Sequence, residues 1–238
     1  SYPTQGLRRC LSSMRLAAEH HKENGSMDKC YELRDITCTI DCADVLRAMR
    51  CPADSSAGKT VLREYEKLYP KAYSMLEPVG IIGMDTLPAL AETEEYCAGT
   101  PVIYMCTSIG GKLASESRKA FQEGNYLEGL LWDTMADCAL FSMEKEVVEH
   151  LRRFCAEHGV GIRAQLSAPD DIPMSIQRVI WERLELEKRF GIRISSGYMF
   201  DPVKTVGSVF ILTDDMRVFQ AAHNCRKCQN IACLFRRV

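Results

Sequence analysis

No apolar run in this chain is long enough to span a membrane. Its first residues carry no apolar core of the kind a secretory signal needs. Neither sign of charge dominates: 30 Lys and Arg stand against 32 Asp and Glu, a formal net charge of −2. That balance argues against a nucleic-acid partner and against any partner drawn by a field of one sign. No internal repeat or low-complexity linker is visible. The five histidines form no pattern, and no Ser-His-Asp signature is present. What remains is an ordinary globular composition, 46% hydrophobic and 26% charged over 238 residues. That suits one large domain or two small ones with a real core. The expectation is a cytoplasmic protein with no membrane and no nucleic-acid partner.

Cysteine, by contrast, is abundant, at 12 residues. Without a secretory signal the reading is a reducing compartment, with most thiols packed as small hydrophobes and a few used as ligands. A disulfide framework is the alternative. Three cysteines close the chain in the run Cys225-Arg-Lys-Cys228-Gln-Asn-Ile-Ala-Cys233. Such spacing lets the thiols converge on zinc or an iron–sulfur cluster, although a closed site normally has four ligands. Cys38, Cys42, His223, a partner residue or the substrate itself are candidates for the fourth. Arg226, Lys227, Arg236 and Arg237 surround the run with positive charge suited to an anionic cluster. The plain alternative is three thiols at a chain end that share nothing. Cys42 would stand at the N-terminus of a helix starting at Ala43, where a thiolate is stabilised.

Residues 1–26 are polar and irregular, and Gly25-Ser26-Met27 reads as an expression remnant or part of a natural extension. The main domain is expected over residues 27–220, with a cysteine-rich tail over 221–238. Ala43 to Met49 reads as a short helix ended by Cys51-Pro52. Ser55 or Ser56 caps a second helix with Val61, Leu62, Tyr65 and Leu68 on its apolar side, stopped by Pro70. Residues 72–84 read as having strand content, and 93–97 as a helical turn. Pro101 to Thr107 is a buried strand leading to Ser108-Ile-Gly-Gly111. A helix follows from Lys112 to Glu123, with Gly124 as its stop. One long helix is predicted from Tyr126 to His158, ending at Gly159. Gly161 to Leu166 is extended, and Pro173 or Ser175 opens a helix through Ile176, Val179, Ile180 and Leu184. Ile192 to Ile194 is short and extended. Val206 to Leu212 is a strand, turned at Asp214-Asp215. Mixed elements without regular alternation give α+β, with a largely antiparallel or mixed sheet and flanking helices.

Two glycine-bearing loops invite a phosphate reading. Ala57-Gly58-Lys59-Thr60 has the end of a phosphate loop, but Ala53 occupies its first glycine position and no strand precedes it, so a helix start is expected. Thr107 to Gly111 follows a strand and opens a helix. It is either an anion-binding loop or an ordinary connection.

Several collinear stretches resemble the activation domain of cobalamin-dependent methionine synthase, closest to the stand-alone form of anaerobic bacteria. They are Asp44 to Met49, Met105 to Gly110, Trp132 to Asp137, Gly161-Ile-Arg163 with Pro173 and Gln177, Gly191-Ile192, and Met199 to Val206. The tail through Cys225, Cys228, Cys233 and Arg236 is similar to one seen in that form. The resemblance implies a twisted, largely antiparallel sheet that binds S-adenosylmethionine in a shallow groove. It also implies a corrinoid partner, the methionine synthase protein, whose cobalamin is restored with an electron from flavodoxin or ferredoxin. Arg163 would grip the ligand carboxylate through a charge-assisted fork. The Gly-Tyr pair of the family motif is here Ser167-Ala168, where the lost glycine reshapes the turn. The family's acidic residue on the long helix aligns with Phe141, or one turn on with Glu144, and its late Tyr-Tyr pair falls at Val218-Phe219. The implied function is reductive reactivation of a corrinoid protein. A non-catalytic corrinoid-binding module and an iron–sulfur electron-transfer accessory are the alternatives.

Overall fold

The computed structural model describes residues 30–33, 35–221 and 233. Five strands form one sheet in the order β1-β2-β3-β7-β4, every neighbouring pair antiparallel. They are β1 (Cys30–Glu32), β2 (Val79–Thr86), β3 (Pro101–Ser108), β4 (Gly161–Leu166) and β7 (Thr205–Thr213). A two-stranded ribbon, β5 (Arg193–Ile194) and β6 (Phe200–Asp201), forms a second sheet. The fold is α+β, as the mixed element order predicts.

Alternation along the strands builds two cores. Ile103 and Met105 of β3, with Phe210 and Leu212 of β7, point to one face. On that face pack α1 (Cys42–Ala48), α2 (Ser56–Ser74), α3 (Lys112–Gln122), α4 (Tyr126–Ser142) and α5 (Glu144–His158). Val102, Tyr104 and Cys106, with Val209 and Ile211, point to the other. There α6 (Ile176–Arg183), α7 (Leu186–Phe190) and the segment around Leu87 and Ala91 cover them. Strict period-two burial on both faces is what lets an eight-residue strand such as β3 read as continuously apolar. Trp132 of α4 is fully buried in the helical core, with Lys71 over its ring at 5.3 Å.

Helix starts follow local chemistry. Asp41 caps α1, its carboxylate accepting from the Ala43 and Asp44 N–H groups at 2.8 and 3.2 Å. The Ser55 hydroxyl accepts from Gly58 N–H at 2.9 Å and caps α2. Gly58 belongs to that helix start and not to a phosphate loop: a Cβ there would lie 1.9 Å from the Pro52 carbonyl oxygen.

Three expectations are corrected. Helix α2 runs through Pro70 to Ser74. Leu68 and Ala72, on either side of the proline, are buried in the core, so packing outweighs the local penalty of a helical proline. The predicted long helix is two helices meeting at Met143. There the Ser142 hydroxyl donates to Ala139 O at 2.7 Å and accepts from Thr39 N–H at 2.8 Å. Glu146, one turn on, takes the Thr37 N–H at 2.6 Å, so an extended strap is fastened on both sides of the junction. Residues 93–97 are not helical. Thr93 N–H donates to Tyr96 O at 2.9 Å and Thr93 Oγ1 accepts from Tyr96 N–H at 3.0 Å, which closes a compact loop. Among the described residues no helix is long and apolar enough to cross a membrane.

Candidate functional site

Strand β4 is the edge where the sequence places its ligand arginine. Gly161 begins it in a pinch: a Cβ there would lie 2.2 Å from Asp215 O and 2.5 Å from Val218 O. That closeness lets residues 218–220 run beside the strand, with Ile162 N–H donating to Val218 O and Gln220 N–H to Ile162 O. The ladder with β7 then slips between Ile162 and Ala164, which leaves Arg163 as the extra residue of a bulge. Arg163 is exposed, and no carboxylate among the described residues pairs with it. A bulge re-aims a side chain without moving the strand, and here it presents a free guanidinium at a sheet edge.

Ser167 and Ala168 follow in a closed turn. Ser167 N–H donates to Asp171 Oδ2 at 2.8 Å, and Asp171 N–H donates back to Ser167 O at 2.8 Å. Ala168 packs against the core opposite the large helices and precedes a cis peptide to Pro169. All three residues therefore lie along one strand end, but only Arg163 offers a charged group. Gln165 reaches from β4 to β7, donating to Ser208 Oγ at 3.3 Å.

A second charged group was visible in the sequence only as two separate motifs. Lys204, in the turn before β7, reaches α4 and pairs with Asp133 at 2.8 Å and Asp137 at 2.7 Å. Its side chain is 12% exposed. Burial alone would pull the lysine pKa down, and the two carboxylates more than reverse this, so it lies above the ordinary value. Burial also raises the pKa of Asp137, against the pull of Lys204. Asp133 and Asp137 are one turn apart on one helix face, and this spacing was the available signal. Phe141 continues the same stripe and is 42% exposed. Phe219, half-buried, lies under the Arg152 guanidinium at 4.2 Å.

The other site expectations fare differently. Gly110, at φ +80, has the Glu77 carboxylate against it, 2.8 Å from where a Cβ would stand. Glu77 also pairs with Lys112 at 2.7 Å. Glu77 thus occupies the space beside Gly110, which favours the ordinary-connection alternative for this loop. Cys42 is not an activated thiolate either. Burial, then the carboxylates of Asp41 and Glu66, raise its pKa, because the helix end is already capped by an acid. Burial pushes the Cys38 thiol up to about 11, with Glu146 adding to it. Cys225, Cys228 and His223 lie outside the described residues, and Cys233 is half-buried. Among the described residues no three metal-binding side chains converge.

No family model matches the chain. No curated protein matches it either. Among solved structures it is similar to a crystal structure of the MetH reactivation domain bound to AdoHcy. The superposition has a TM-score of 0.55, covers 82% of each chain, and pairs residues of 12% identity. The chain has the α+β fold of the MetH reactivation domain.

Proposed function

We propose that this chain is a reactivation component of corrinoid methyl transfer, acting on the cobalamin of a separate methionine-synthase-type protein. The observation that carries the reading is the fold itself, matched over 82% of both chains to a domain bound to AdoHcy. Arg163 supports it, as an unpaired guanidinium at the β4 bulge suited to the carboxylate of an S-adenosyl ligand. In the reaction a reductant of the flavodoxin or ferredoxin class gives one electron to inactive Co(II) on the partner. S-adenosylmethionine then gives its methyl group to the reduced cobalt and leaves as S-adenosylhomocysteine. Cobalt reduction is unfavourable alone, and methyl transfer draws it forward by consuming the reduced state.

A second reading is a docking module that holds the corrinoid protein without a methyl donor. The closed Ser167–Asp171 turn favours it, because its backbone groups are already satisfied within the protein. One experiment separates the two. The purified chain is mixed anaerobically with a Co(II) corrinoid protein, S-adenosylmethionine and a low-potential reductant. Appearance of the methylcobalamin absorption spectrum, dependent on the chain, is the expected result. Complex formation without that spectrum leaves the docking module. Neither a complex nor turnover removes both.

A further inference from the structure

A cleft of about 450 Å³ opens at the end of the sheet away from Arg163. Arg163 stands between Ile162 and Ala164, which pair with Leu212 and Ile211 near the close of β7. The cleft is bounded by Asp201, Pro202 and Val203, just before β7 begins at Thr205. Helix α3 forms its other wall. Gly111, Ala114, Ser115 and Arg118 line the cleft at a spacing that puts them on one helix face. The first three are small, which leaves the space open. The two walls touch at Gly111, where a Cβ would lie 3.3 Å from Pro202 Cβ. Met75, just past α2, and Val203 add apolar surface to the lining.

The charges around the cleft do not cancel. Glu116 lines it, but its carboxylate is held by Lys71 of α2 at 2.5 Å. Asp201 is paired with Arg193 at 2.6 Å. Lys112, also in the lining, is paired with Glu77 at 2.7 Å. Each of these three carboxylates thus has its own cation. Arg118 is the cation left over: it is exposed and pairs with no carboxylate among the described residues. Arg193 lines the cleft from the ribbon side. Its bond to Asp201 uses Nη2, and a guanidinium fork has further donors to offer. The Arg193–Asp201 and Lys112–Glu77 pairs are exposed, so they hold weakly and a ligand has little to displace.

We propose that this cleft binds a small phosphomonoester with an apolar body. Arg118 and Arg193 grip the phosphate from the two walls, and Lys112 adds a third positive charge. The apolar part lies against Met75, Ala114 and Val203. Phosphate oxygens match guanidinium donors in pairs. Three cations suit a doubly charged phosphate better than a singly charged carboxylate. The space is too large for a bare ion and falls within the range of small-molecule sites, about 300–1,000 Å³. This site is separate from the β4 edge and does not depend on what that edge binds.

Titration calorimetry of the full chain tests it with phenyl phosphate, inorganic phosphate and benzoate. Phenyl phosphate is expected to bind most tightly. Arg118→Gln is expected to weaken that binding on the order of tenfold, and Ala114→Phe, which fills the cleft from one wall, to abolish it. Lys119→Gln makes the same charge change one residue on, at an exposed lysine outside the lining, and is expected to bind as the wild type does. An unchanged unfolding temperature confirms an intact fold. Should Ala114→Phe unfold, the two charge variants decide alone. If Lys119→Gln weakens binding as much as Arg118→Gln, net charge holds the ligand and the cleft is wrong. If inorganic phosphate binds as tightly as phenyl phosphate, the apolar wall is unused and the phosphomonoester gives way to a bare anion. If benzoate binds as tightly, the phosphate class is wrong. If the wild type binds none of the three, the site falls.

Discussion

Two cations at opposite ends of the same strand pair are handled in opposite ways. Lys204, before β7, is largely covered and pairs with two carboxylates of α4. Arg163, on β4, stands exposed, with no carboxylate against it among the described residues. The difference teaches which charge is committed to the fold. Removing one partner of a largely buried ion pair leaves the other uncompensated, whereas an exposed, unpaired arginine contributes little to stability. Lys204 is therefore committed to the fold, and Arg163 is not.

Three substitutions sharpen that contrast. Gly161→Ala strikes the bulge, because its Cβ would meet two backbone oxygens. A loss of about 3 kcal/mol in urea unfolding is expected, at the upper end for overpacking. A wild-type midpoint would show that the strand start is not pinched. Lys204→Met comes next, with a loss of about 2 kcal/mol, below the cost of a fully buried pair because Asp133 and Asp137 keep some solvent. Its pH dependence has a definite sign. The folded pKa of Asp137 is already raised, and loss of Lys204 raises it further. The cost is then small at acid pH, where Asp137 is protonated, and grows as pH rises through its folded pKa. Thermal unfolding from pH 4 to pH 8 (roughly, the range bracketing a raised aspartate) should show the gap between variant and wild type widening. Equal gaps at both ends would mean that Asp137 does not carry the charge. Arg163→Ala is the smallest, within about 0.5 kcal/mol in unfolding. A loss as large as that of Lys204→Met would make Arg163 a structural residue and erase the contrast.

Much of this could be read along the chain, for local reasons. Asp41 and Ser55 cap helices, and Gly124 and Gly159 end them at φ +80 and +66. The apolar runs at Pro101 and Val206 are strands with both faces buried. The misses came where distant segments decide. Pro70 stays helical because the core holds Leu68 and Ala72. The predicted long helix divides where a strap from Thr37 to Thr39 takes Glu146 and Ser142, more than 100 residues away. Cys42 looked activated because a helix starts there, but burial, and then the acid that caps the helix, raise its pKa.

The site divides in the same way. Arg163 was legible as a residue, and so were Asp133, Asp137 and Lys204. The resemblance gave Arg163 a ligand role, but nothing along the chain showed that Lys204 would pair with Asp133 and Asp137. Local chemistry determined where elements start and stop and which faces are apolar, since caps, turns and burial period act over a few residues. The tertiary structure alone decided that Lys204 would meet two carboxylates and that Arg163 would meet none among the described residues. Whether a charge is neutralised depends on what lies within a few ångströms in space, and strand register, not sequence distance, sets that.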